Sequence, residues 1–229
     1  MPCFLVGQTV ASTIASALNV PLYEYSHQAG HLAAAIYGAQ EPILFDREFI
    51  AFHVSGGTTD CLFVKPDDDG FKITQVAGSL DLKAGQAVDR VGKMLGLPFP
   101  AGPAVEILAE AFHEKCSYPV SVKDGNVSLS GLENKCAQRL AEGGSPTEVA
   151  KLCMTGILNA LMHMTKWARS QHGDIPVLYA GGVMSNRFLQ TELGRLPDTY
   201  FAEPKFCGDN AAGVAILASR RFYYERGTI

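Results

Sequence analysis

The sequence predicts an α/β fold in which strands and helices alternate along the chain. Three observations carry the prediction. A β-rich run over residues 49–65 is followed by a second over 71–77. Later segments repeat their apolar residues at helical spacing. Finally, two strand-like runs end in glycine pairs, Gly56-Gly57 and Gly181-Gly182, the second leading into a helix.

In order, Val6, Val10, Ile14 and Leu18 recur every four residues and predict a helix from near the first residue. A short strand is expected over 21–25 and a helix of small residues over about 28–37. Glu41-Pro42 and Asp46-Arg47 mark a boundary. The strands 49–65 and 71–77 pair across the turn Pro66 to Gly70. Ala84, Ala87, Val88, Val91 and Leu95 set a helix over about 83–96, and the proline-rich link Pro98 to Pro103 turns into another over about 103–114. A polar hairpin is expected at Asp124-Gly125-Asn126. Ser145-Pro146-Thr147-Glu148 reads as a capping box opening a long buried helix to about residue 170. Strand 176–180, helix 185–195, strand 199–203 and helix 209–225 complete the pattern.

Composition narrows the class. The 229 residues are 47% hydrophobic and 18% charged, enough for one large domain or two small ones. No apolar run reaches the roughly 20 residues that cross a bilayer, and the first residues carry no basic stretch or cleavage site typical of a signal peptide. The six cysteines include no C-x-x-C pair, so reduced thiols and a cytoplasmic setting are expected. With a net charge of −4 and a pI near 5.9, any nucleic-acid role needs a local basic patch or a partner.

Several motifs carry chemistry. Val54-Ser55-Gly56-Gly57-Thr58-Thr59-Asp60 leaves backbone N–H groups unobstructed for anionic oxygens and adds two hydroxyls, although a glycine pair also suits a plain hairpin turn. Tyr179 to Asn186 sets a second glycine pair at a helix start, where free N–H groups suit a nucleotide. There Asn186 has two open readings, an amide for a base or ribose and a cap for the helix. His27 and His31, at i and i+4, leave one helix face and suit either one shared cation or two ordinary helix histidines. Asp209 is at a strand-to-helix junction, as a third ligand or an N-cap. Asp81 and Asp89 flank Gly85, whose place inside a helical run points to close packing. His53, His113, His163 and His172 show no partner pattern.

Together these pieces resemble, in order and over roughly residues 4–222, the TsaD-type tRNA adenosine threonylcarbamoyltransferases, formerly called O-sialoglycoprotein endopeptidases. Ser26-His-Gln-Ala-Gly-His31 resembles H-x-x-G-H, and Val54 to Thr59 resembles V-S-G-G-H-T. Gly85 to Arg90 resembles G-E-A-F-D-K, Leu95 to Pro103 resembles L-G-L-x-Y-P-G-G-P, and Ala180 to Asn186 resembles A-G-G-V-A-A-N. Gly208 to Ala212 resembles the family's T-D-N-A-A segment.

The resemblance implies the two-lobed actin-like ATPase and sugar kinase fold, of the ribonuclease H-like kind. Residues 1–47 and the helix 209–229 would be the remnant of a first lobe and 48–208 the second. It implies that His27, His31 and Asp209 hold one iron or zinc ion. Val54, Ser55, Gly56, Gly57 and Thr58, with Gly85, Asp89 and Asn186, would line a pocket for threonylcarbamoyl-adenylate or an adenine nucleotide. The implied reaction moves the threonylcarbamoyl group to N6 of the adenosine next to the tRNA anticodon, among partner proteins of the same pathway.

The departures are specific. The family's first strands have no match here, Thr58 stands for a histidine, Gln86 for a glutamate, Leu82 for a carboxylate and Ala101 for a glycine. These departures favour a second reading, a non-catalytic paralogue that pairs within the same assembly. A nucleotide-dependent ATPase or sugar kinase is a third. Proteolysis of the H-E-x-x-H kind is disfavoured because Gln28, not glutamate, follows His27 and no acid stands between the two histidines. Helix faces left uncovered by a missing first sheet favour self-association, so a homodimer fits this reading.

Overall fold

In the computed structural model, which describes residues 2–68, 70–208 and 210–227, five strands form one sheet. The strands are β1 (Phe49–Val54), β2 (Thr59–Asp67), β3 (Gly70–Gly78), β6 (Val177–Ala180) and β7 (Thr199–Phe201). Their order is β3-β2-β1-β6-β7. The first three pair antiparallel, while β1, β6 and β7 run parallel. A small hairpin of β4 (Ser121–Lys123) and β5 (Asn126–Ser128) turns through Asp124 and Gly125, both at positive φ. It rests on Trp167, whose ring lies against Gly125.

The expected strand over 49–65 is two strands, because Ser55 to Thr58 is itself the hairpin turn, closed by Ser55 N donating to Thr58 O at 2.9 Å. The expected strand over 21–25 is absent. Its Tyr and Leu suit a strand, yet residues 20–26 form no ladder and run as an irregular link that the Tyr25 hydroxyl ties to Leu217 O.

The helices are α1 (Pro2–Leu18), α2 (His27–Ala39), α3 (Ala84–Met94), α4 (Gly102–Glu110), α5 (Ser130–Ala141), α6 (Pro146–His172), α7 (Arg187–Leu193) and α8 (Ala212–Glu225). Strand alternation divides them between the sheet's faces. Ile50, Phe52 and Val54 of β1 join a large core with α3, α4, α5 and the inner face of α6. Phe49 and Ala51 point the other way, into a core shared with Leu32 and Ile36 of α2 and Leu217 of α8. Thus α2 and α8, read from sequence as part of a first lobe, pack on the sheet's second face.

The approach of α2 to α8 depends on small residues. A Cβ at Gly213 would fall 1.8 Å from Gly30 O, so no side chain fits between the two backbones. In the other core, the buried ring of Tyr179 stacks on Phe52 and Phe201, and its hydroxyl pairs with Thr165. Ser145 caps α6 by accepting from Glu148 N at 3.2 Å. The Glu148 carboxylate does not close the expected capping box; it pairs with Arg139 at 2.7 and 3.0 Å.

Helix α1 packs differently from the others. Leu5, Val6, Val10, Ile14 and Leu18 are each more than half exposed along one stripe. Cys61, Cys116, Cys136, Cys153 and Cys207 are free thiols. Among the described residues no helix is long and apolar enough to cross a membrane.

Candidate functional site

Parallel strands β1 and β6 end side by side, and both glycine motifs leave the sheet at those ends. Between them lies a cleft of about 320 Å³. The β1–β2 turn contributes Ser55 and Gly56, and α3 contributes Gly85, Val88 and Asp89. The far wall is Pro100, Gly102, Pro103 and Glu106, and Gly182, Val183, Ser185 and Asn186 close the β6 side over Met154.

Local chemistry fixes this loop. Ser55 Oγ accepts from Gly57 N at 3.2 Å and Thr58 N at 3.1 Å and bonds Thr58 Oγ1 at 2.9 Å. Those two N–H groups are therefore committed inside the turn. Gly56 N has no acceptor among the described residues and stays available to a ligand. Thr59 is buried, and its hydroxyl receives Ala84 N at 2.8 Å, so it anchors α3 and does not face the cleft. Gly85 N donates to Ser55 O at 3.0 Å, and a Cβ on Gly85 would lie 2.6 Å from Gly56 N. Gly85, the second residue of α3, is glycine because the start of the helix touches the turn's backbone.

The predicted residues divide accordingly. Ser55, Gly56, Gly85, Asp89 and Asn186 line the cleft, whereas Val54 is fully buried in the core and Gly57 and Thr58 do not line it. Asp89 accepts from Ala101 N at 2.8 Å through Oδ1, which holds the proline-rich link against α3. Asn186 takes the cap reading, its oxygen accepting from Leu189 N at 3.0 Å at the start of α7, and the residue also lines the cleft. Gly102 and Glu106 escape a reading of local sequence, since only the packing of α4 brings them here. Glu106 Oε1 accepts from Arg187 N at 2.6 Å. The family's P-G-G-P segment was the available signal for Gly102.

Asp81 lies outside the cleft and is structural. It accepts from the N–H groups of Leu82, Leu129 and Ser130 and from the Ser130 hydroxyl. Burial alone would raise its pKa, and these hydrogen bonds outweigh that effect and hold it below the usual carboxylate range. Leu82, in place of a family carboxylate, is buried in the core. Gln86 is exposed, with its oxygen 3.4 Å from Lys83 N.

On the other face, Ser26 caps α2 by accepting from Ala29 N at 3.1 Å. That cap starts the helix at His27, so His27 and His31 project together with their Nε2 atoms 3.0 Å apart. Two nitrogens bound to one cation at about 2.0–2.1 Å stand roughly 3.0–3.4 Å apart, so the pair suits a shared transition metal. The same spacing is also a hydrogen bond between one donor and one acceptor ring. Asp209, the expected third ligand, lies outside the described residues. Among the described residues no group of three His, Cys, Asp or Glu side chains stands in ligand position as placed. His53, given no role from sequence, lies beside this pair, its ring centroid 5.3 Å from that of His31.

A larger groove of about 650 Å³ lies between α8 and the tip of the β2–β3 hairpin. Its Arg220 is already paired with Asp46 at 2.7 Å, and it holds none of the site residues.

This sheet order, with both glycine motifs gathered at the ends of β1 and β6, is that of a ribonuclease H-like lobe of the actin-like ATPase superfamily. The chain belongs to the TsaD family, tRNA N6-adenosine threonylcarbamoyltransferase, whose family model matches residues 1–216. Among solved structures it resembles full-length HypF in its phosphate- and nucleotide-bound form, at a TM-score of 0.66 and 15% identity, covering 91% of this chain and 37% of that one. It also resembles T. kodakarensis HypF at a TM-score of 0.61 and 14% identity, covering 93% of this chain and 39% of that one. The chain thus spans less than two fifths of the length of these structures, and at such identity the likeness concerns the fold.

Proposed function

We propose that this chain serves the transfer of a threonylcarbamoyl group from threonylcarbamoyl-adenylate to N6 of the adenosine next to the tRNA anticodon, working with other proteins of that pathway. The observation that carries the reading is the position of the histidine pair relative to the cleft. Strand β1 bears His53 beside His31 and, two residues on, Ser55 in the cleft wall.

The cleft takes the adenylate. The N–H groups of Gly56, Gly182 and Val183 are donors for its acyl-phosphate and carbonyl oxygens. Asp89 and Glu106 each spend one carboxylate oxygen on a backbone N–H and keep the other for ribose hydroxyls. Asn186, fixed by its capping bond, offers its amide nitrogen without having to order a loose side chain. His27 and His31, with Asp209, would hold one iron or zinc ion, which would supply Lewis-acid polarisation of the carbamoyl carbonyl. Gly56 N, set by the Ser55–Thr58 turn, holds the acyl group while the adenosine N6 attacks its carbonyl carbon, AMP leaves with the electron pair of the broken carbon–oxygen bond, and the surplus amine proton passes to solvent.

A second reading, a pairing partner without turnover of its own, is favoured by the exposed apolar stripe of α1. Metal analysis tests the first. The purified chain is expected to hold about one transition metal per molecule, as suits two imidazoles and a carboxylate, and His31→Ala to abolish it. Metal content unaffected by that substitution would remove the proposed ligand set.

A further inference from the structure

The transfer involves a donor nucleotide and an acceptor nucleotide, and a cleft of about 320 Å³ is at the small end of ligand pockets. With the adenylate inside, the accepting base has to reach the carbonyl carbon from the cleft mouth. Chemistry on a base takes that base out of its stack, and an unstacked base is held by an aromatic ring or an arginine. Both groups stand at this mouth.

Phe99 lies in the proline-rich link of the far wall, directly before Pro100 of the lining. It is 83% exposed, the most exposed large hydrophobic side chain among the described residues. Its backbone is nonetheless fixed. Pro98 and Pro100 restrict the chain on both sides. Ala101 is buried, its N–H is bound to Asp89 Oδ1 at 2.8 Å, and a Cβ at Gly92 would fall 2.1 Å from its own Cβ. The absence of a side chain at Gly92 thus seats Ala101 on α3 and sets the position of Phe99 two residues before it. A ring presented on a fixed backbone loses little freedom when a ligand stacks on it. Ile107, 68% exposed beside Glu106, adds to the apolar rim. Arg187 stands where the far wall meets the β6 side, because Glu106 Oε1 accepts from its N–H at 2.6 Å. Its side chain is exposed and has no ion-pair partner among the described residues.

We propose that Phe99 and Arg187 form the acceptor subsite of this cleft, where a base of single-stranded RNA stacks on the Phe99 ring and a phosphate of the same strand meets Arg187. This rests on the reading that the cleft takes the adenylate. A protein partner could cover Phe99 and Ile107 too, but an uncommitted arginine beside an exposed ring is the pairing that suits a strand carrying phosphates.

The test uses the full chain and a short fluorescein-labelled oligoadenylate RNA, with AMP present at saturation so that the cleft is filled. Native protein is compared with Phe99→Ala, Phe99→Trp and Arg187→Gln. Phe99→Ala is expected to weaken RNA binding by between about fivefold and about 150-fold, the range for one base–aromatic stack. Phe99→Trp should bind like the native chain and show tryptophan quenching on RNA addition. Arg187→Gln should lower the slope of log affinity against log salt by about 0.7, as for one phosphate contact on a single strand. RNA affinity unchanged in Phe99→Ala, no quenching in Phe99→Trp, or no RNA binding by the native chain would each overturn the inference. So would RNA binding that AMP abolishes, since the ring would then serve the cleft's own nucleotide. In all these cases AMP binding by the native chain leaves the cleft reading standing, whereas its absence would overturn both.

Discussion

Asp81 shows how one side chain near a functional cleft can be structural. Its carboxylate gathers donors from the start of α3 and the start of α5, so Asp81→Ala is expected to cost about 1–2 kcal/mol, since several donors lose their acceptor. The folded carboxyl is held below its ordinary value. Its contribution is therefore complete above the unfolded carboxylate pKa of about 3.9 and fades as pH falls through the folded value. Urea unfolding of native and Asp81→Ala protein at pH 7 and at about pH 3 checks this: the gap between them should narrow in acid. A gap that widens would contradict it. At this scale the sequence was most readable where the contact is local. The His27–His31 pair follows from helical period alone. Glu106 and His53 were not readable, because one depends on where α4 docks and the other on which sheet face α2 covers.

At the scale of elements, the glycine turn and α3 behave as one unit. Ala84 N is bound to Thr59 Oγ1 and Gly85 N to Ser55 O, and the Gly85–Gly56 contact leaves no room for a methyl group. Gly85→Ala is expected to push the turn off α3, destabilising the protein by about 1–3 kcal/mol as overpacking does. It should also weaken AMP binding, because Gly56 moves with the turn. Thermal melting and calorimetric AMP titration check both, and a variant as stable and as tight-binding as the native chain would contradict the close contact. The same scale explains the expected elements that failed. Residues 21–25 have strand-forming side chains, yet their tie to the fold is a side-chain bond from Tyr25 to Leu217 O on α8 and not a ladder. Helix α5 escaped notice because it buries only Leu132 and Cys136 along an otherwise polar surface. The hairpin at Asp124-Gly125 and the Ser145 cap were legible because turn and cap chemistry is written in adjacent residues.

For the whole molecule, one sheet carries the cleft between the ends of β1 and β6 and, beside it, the histidine pair on the α2 face. The exposed stripe of α1, Leu5 to Leu18, marks a surface whose burial requires another element or chain. The isolated chain is accordingly expected not to modify tRNA when given the adenylate and substrate tRNA, with product appearing once the partner proteins of the pathway are added. Turnover by the isolated chain would contradict that. The central claim is that cation and adenylate share one place on this fold, and phosphorus-31 relaxation of AMP in the presence of Co(II)-loaded protein tests it most directly. Strong paramagnetic enhancement, lost in His31→Ala, is the predicted result; saturable AMP binding with no enhancement would place the two ligands apart and contradict the account.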